Sequence, residues 1–174
     1  MRRTICKLIA VCFLFLPMTD HAQSGAANLK LHLGTDATSV ALDGKLKVTI
    51  SLLNDGVHPL TVYGELLRGY AGGIVLHVKD ASGKDVPPKS LDDDLVPPPS
   101  PRSQGNGRFL TLFPGHFWGR TEEVMVSELV DKPGTYHLTI SYQSPLPRSL
   151  GHGQFFWGRE NPPVMSNEVV FRVQ

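Results

Sequence analysis

Phe117-Trp118-Gly119-Arg120 recurs as Phe156-Trp157-Gly158-Arg159, and the two copies hold both tryptophans of the 174-residue chain. Each copy has a histidine close upstream, His116 in the first and His152 in the second. Tryptophan and arginine are the residue types that dominate binding hot spots, and a guanidinium stacks readily on an aromatic face. The repeat therefore marks Phe117, Trp118, Arg120, Phe156, Trp157 and Arg159 as candidate ligand-binding residues. Arg68 and Tyr70 join them, because they sit among the glycines of the stretch from Gly64 to Gly73. The competing assignment makes the Trp rings a lid on the core, since large aromatics usually supply buried area.

Catalytic patterns are sparse. There is no Gly-x-Ser-x-Gly run, and Cys6 and Cys12 both lie in the leading segment. Glu122 and Glu123 are neighbours in an extended stretch, so they point to opposite faces and do not share a site. The glycines from Gly69 to Gly73 do not link a strand to a helix, so they make no phosphate loop. His116, His137 and His152 could together hold Zn²⁺, but no His-x-x-x-His or His-Glu-x-x-His spacing occurs. Asp92-Asp93-Asp94 lacks the alternation and the glycine of a calcium loop. We expect no catalytic residue, no metal and no cofactor. A histidine-dependent metal-binding protein stands as one alternative.

The elements that would position these residues read as strands. In Pro133 to Tyr142 a Pro-Gly turn precedes strict alternation, with Tyr136, Leu138, Ile140 and Tyr142 on one face and Thr135, His137, Thr139 and Ser141 on the other. Lys45 to Asn54 alternates equally well, with Leu46, Val48, Ile50 and Leu52 inward. Further strands are expected at Leu29 to Leu33, Leu60 to Tyr63, Ile74 to Lys79, Arg108 to Phe113, Arg120 to Val126 and Glu168 to Val173. Lys45 to Asn54 and Leu60 to Tyr63 read as neighbours joined by a short loop. Ser127 to Asp131 reads as a single helical turn. The stretches 86–107 and 143–165 are long, Pro-rich and irregular. No sustained helical period occurs. The expected fold is all-β, an antiparallel immunoglobulin-like sandwich of about 7–9 strands. In such a fold Tyr136 occupies the tyrosine corner, its hydroxyl bonded to backbone a few residues upstream.

Arg2, Arg3 and Lys7 precede the apolar run Leu8 to Leu16, which Pro17 ends. This is the pattern of a signal peptide, too short to span a bilayer. Residues 1–22 are assigned to it, with cleavage between 22 and 27 and one domain over 28–174. Cys12 lies inside the apolar run, an unsuitable place for a lipid anchor. Cleavage after Ala22 leaves 14 basic and 15 acidic residues, with no cysteine. An exported chain held by packing alone is expected, periplasmic or extracellular, with no membrane span. Near-neutral charge without a basic block argues against nucleic acid as a partner and leaves a protein partner as the expectation.

The run from Leu112 through Pro114-Gly115, Leu129, Asp131 and Pro133-Gly134-Thr135-Tyr136 to Tyr142, then Ser166-Asn167-Glu168, resembles the C-terminal half of secreted bacterial immunoglobulin-like modules. It is similar to BsuPI-type proteinase-inhibitor domains. The resemblance covers about a third of the chain and rests on turn and core residues, so it implies a fold more than an activity. As an alternative function it implies proteinase inhibition, with Val96 to Arg102 as the inserting loop. The leading expectation is a non-catalytic binding or accessory domain that recognises its ligand through loops at one end.

Overall fold

Alternation of apolar and polar residues produces sheets wherever one face is buried, and the chain does this throughout. A computed structural model describes residues 28–69, 71–87, 109–150 and 155–174. The fold is all-β, with mainly antiparallel sheets, the short β2 and β5 joining in parallel, and a single four-residue α-helix among the described residues.

The first sheet has three strands. β1 (Leu29–Thr35) and a later strand flank β3 (Lys45–Asn54), and that later strand is β9 (Phe117–Met125), so the order is β1-β3-β9. The second sheet carries β2 (Ser39–Val40), β12 (Val169–Val173), β10 (Gly134–Tyr142), β6 (Gly73–Asp80) and β5 (Leu67–Arg68), in that order. β11 (Val164–Met165) pairs with β10, and β7 (Asp85–Val86) pairs with β6. A two-stranded ribbon joins β4 (Leu60–Tyr63) to β8 (Phe109–Leu112). Helix α1 (Val126–Leu129) follows β9, one residue earlier than the helical turn expected from sequence.

The inward residues of both sheets form one apolar cluster. Leu31, Leu33, Leu46, Val48, Ile50 and Leu52 of the first sheet share it with Ile74, Val78, Leu138, Ile140, Phe171 and Val173 of the second. Four of the twelve strands among the described residues, β2, β5, β7 and β11, are only two residues long. They are too short to show alternation, which explains why the sequence reads as about eight strands.

The Tyr136 hydroxyl donates to the Lys132 carbonyl at 2.8 Å, the corner contact expected upstream of β10. Tyr142, wholly buried, ties the second sheet to the ribbon. Its hydroxyl accepts the Tyr63 N–H at 3.2 Å and donates to the Tyr63 carbonyl at 3.0 Å. Burial, the larger cause, pushes this hydroxyl well above the usual tyrosine range.

One pairing differs from expectation. β3 and β4 are consecutive in sequence but are not hydrogen-bonded partners; β4 pairs with β8. The cause is Asn54, the last residue of β3 and fully buried. Its side-chain amide donates to the carbonyls of His58 and Leu112, both at 2.8 Å, and its side-chain oxygen accepts the Gly56 N–H at 3.0 Å. This side chain satisfies the turning backbone and directs the chain out of the first sheet into the ribbon.

Candidate functional site

The site grows from Asn54. Its backbone N–H donates to the His116 carbonyl at 3.1 Å, and its own carbonyl accepts the Gly115 N–H at 2.8 Å. Side chain and backbone together pin the β3–β4 connection to the β8–β9 turn. That turn is Phe113-Pro114-Gly115-His116, closed by the His116 N–H donating to the Phe113 carbonyl at 2.9 Å. Gly115 has φ +75°, and Pro-Gly in the central positions is the composition a type II turn demands. The two connections thus present one rigid end of the molecule.

Large apolar side chains stand exposed on this end. Phe117 is 72% exposed, Val57 69% and Phe113 53%. Phe113 meets the His116 ring edge-on at 5.7 Å between centroids. Phe155 stacks on the His58 ring at 5.5 Å with the planes 9° apart. Its carbonyl accepts the Thr61 N–H, which holds it beside the ribbon.

The two tetrapeptide copies have separated roles. Phe117-Trp118-Gly119-Arg120 opens β9, so Phe117 and Trp118 point to opposite faces. Phe156 and Trp157, 1% and 9% exposed, are both buried. Phe156 packs with Tyr63 and Leu146, and Trp157 enters the main core. Their segment lies against β4, where the Trp157 N–H donates to the Thr61 carbonyl at 2.8 Å. The aromatic pair of the second copy is therefore core, and the single recognition patch expected from both copies does not form. Arg159 is exposed and apart from the first copy, its N–H donating to the Leu146 carbonyl. The Trp157 indole N–H is buried, with no hydrogen-bond partner among the described residues.

Trp118, Arg120 and Arg68 do come together. Trp118, Arg120 and Glu122, on one face of β9, meet a strap, Gly64 to Gly69, that links the second sheet to the first. The Trp118 indole N–H donates to the Gly64 carbonyl at 2.9 Å. Arg120 donates to the Glu65 carbonyl at 3.0 Å and pairs with Glu122 at 3.0 Å. Arg68 pairs with Glu128 at 3.0 Å and lies 3.9 Å from Glu122. At the centre of the strap Leu66 is wholly buried with φ +50°, a left-handed conformation unusual for leucine. Gly64 lacks a side chain for cause: a Cβ there would lie 2.3 Å from Leu110 Cδ1. The strap expected to be a recognition loop is thus a fastening between the second sheet, through β5, and the first, through β9. Tyr70 lies outside the described residues.

Other sequence candidates are dispersed. Glu122 and Glu123 take opposite faces as expected, Glu123 pairing with Lys45 at 2.8 Å on the outer face. His137 Nδ1 lies 2.8 Å from Glu168 on the second sheet, far in topology from His116 on the β8–β9 turn. His152, Asp92-Asp93-Asp94 and the loop Val96 to Arg102 fall outside the described residues. Among the described residues no three His, Cys, Asp or Glu side chains converge as metal ligands. No helix among them is long and apolar enough to cross a membrane.

One contact escaped sequence reasoning. His77 Nε2 and the Ser141 hydroxyl lie 2.9 Å apart on adjacent strands. A serine beside an imidazole is the start of a nucleophile pair. Ser141, however, lies within β10 where β6 flanks it on one side and β11 on the other, so neighbouring backbone N–H groups serve the ladders. Only the cross-strand register, hidden from a linear scan, brings the two residues together.

No protein-family model matches the chain, and no curated protein matches it. Among solved structures, it is similar to a β-glucosidase from Erythrobacter marinus at 13% identity and a TM-score of 0.41, covering 85% of this chain and 16% of that one. It is similar also to a β-glucosidase from Listeria innocua solved with glucose, at 12% identity and a TM-score of 0.37, covering 83% and 16%. The C-terminal domain of Wzt is similar at 10% identity and a TM-score of 0.42, covering 86% and 75%. The chain therefore spans about a sixth of the length of the glucosidases.

Proposed function

We propose that the chain is an exported, non-catalytic binding module that takes a protein partner on the end built around Asn54. The observation that supports this reading is the exposure of Val57, Phe113 and Phe117 on two connections held rigid by a buried asparagine. Exposed aromatics on a fixed frame bind at low entropic cost, because little is left to order on contact. The imidazoles of His58 and His116 supply polar groups among the rings.

The test is affinity capture from the exported fraction of the source cells. The wild-type chain is compared with a Phe113→Ser, Phe117→Ser double variant whose folding is confirmed by its unfolding midpoint. The reading expects a discrete polypeptide captured by the wild type and lost with the variant. An unchanged set of captured proteins, or none with the wild type, would overturn it.

A further inference from the structure

Strand β9 ends the first sheet, and among the described residues no strand pairs with its outer edge. In the β3–β9 ladder the Asn54 N–H donates to the His116 carbonyl and the Val126 N–H to the Gly44 carbonyl. With the observed register these bonds fix the parity: even residues of β9 turn their backbone groups to β3, and odd residues turn theirs outward. The N–H and C=O groups of Phe117, Gly119, Thr121, Glu123 and Met125 therefore line the edge. Among the described residues no backbone bond reaches them.

The opposite edge of the same sheet is blocked. On β1 the outward parity belongs to the odd residues, by the same reasoning from Asp36 N–H to Lys47 carbonyl. There the Asn167 side chain accepts the Leu33 N–H and donates to the Leu33 carbonyl, both at 2.9 Å. An amide side chain thus stands in for a neighbouring strand. Proteins commonly guard exposed edges in such ways, and β9 has no counterpart among the described residues.

We infer that the β9 edge pairs with β9 of a second copy of this chain, antiparallel about a two-fold axis at Thr121. In this register odd residues face odd residues, so Thr121 exchanges both backbone bonds with the partner's Thr121. Gly119 likewise faces the partner's Glu123, and Phe117 the partner's Met125. Arg120 stands opposite the partner's Glu122 in a closely spaced pair, and its own strand already places Glu122 beside it at 3.0 Å. Two arginines and two glutamates then alternate around the axis. The neighbouring registers that keep odd facing odd put Arg120 opposite Arg120 or Glu122 opposite Glu122, and like charges directly opposed destabilise a sheet. Charge selects the partner and the register together. Phe117, the most exposed aromatic ring among the described residues, gains a methionine neighbour. The two-fold makes the contact isologous and self-closing.

The experiment is sedimentation of the purified wild-type chain over a concentration series, beside a Thr121→Pro variant. The Thr121 N–H points away from β3, so proline leaves that ladder intact while removing two bonds at the axis. A monomer–dimer equilibrium is expected for the wild type, weakened roughly thirtyfold or more in the variant by loss of that pair of bonds. A wild type that stays monomeric, or a dimer indifferent to the substitution, would overturn the inference. Should the variant fail to fold, amide exchange of the wild type decides. The Gly119, Thr121 and Glu123 amides must gain protection on concentration and lose it on dilution. Fast exchange at every concentration, or protection independent of concentration, contradicts pairing with a second copy.

Discussion

Phe117 and Trp157 belong to the same tetrapeptide, repeated, yet their substitution should have opposite consequences. Trp157→Ala empties part of the main core and is expected to cost about 3–5 kcal/mol. Phe117→Ala removes an exposed ring and should change stability by no more than about 0.5 kcal/mol. Urea unfolding measures both, read as a shift in midpoint at constant slope. The repeat was legible in sequence and its split was not. Phe156 and Trp157 are buried in succession, which a strand with a single buried face does not produce. They achieve it on an irregular segment that touches β4 at one bridge. Tyrosines separate in the same way. Tyr136→Phe loses one bond to the Lys132 carbonyl, at a cost of roughly 1 kcal/mol. Tyr142→Phe removes both bonds to the Tyr63 backbone and should cost roughly 2–4 kcal/mol. The Tyr142 hydroxyl also couples stability to pH. Its folded-state value is raised, so the unfolded chain releases the proton first, near the ordinary value of 10.0. Stability is fully present below that pH and is lost above it. The loss between about pH 9 and about pH 11 should be smaller in Tyr142→Phe than in wild type.

At the scale of elements, the strap decides how the sheets are held at one side. Gly64→Ala drives a methyl group into Leu110 and should destabilise by about 1–3 kcal/mol, measured by thermal unfolding. The long strands β3, β6 and β10 and the short β4 were legible to within a residue or so at each end, because their apolar faces alternate with polar ones. The start of β9 was not. Phe117-Trp118-Gly119 carries no apolar alternation, since its inward residues Trp118 and Arg120 meet the strap rather than the core. The pairing of Arg68 with Glu122 and Glu128 was likewise unreadable, because it joins residues distant in sequence through a register that only the sheet defines. Asn54 left one local trace, an asparagine two residues before a glycine at a strand end. Its reach to Leu112 left none.

For the whole molecule, the all-β class follows from the sequence because burial of one sheet face imposes a period of two on β1, β3 and most of β10. Which strands adjoin is a different matter. Asn54 sends β4 away from β3, and nothing in the alternation of either strand records that turn. The functional reading rests on where the first tetrapeptide ends up once this topology is formed: on the surface, beside the pinned end, with Phe156 and Trp157 of the second copy sealed in the core. Quenching of tryptophan fluorescence by acrylamide measures that separation directly, using Trp157→Phe to isolate Trp118 and Trp118→Phe to isolate Trp157. The account predicts that Trp118 is quenched several-fold more strongly than Trp157. Equal quenching, or stronger quenching of Trp157, would contradict it.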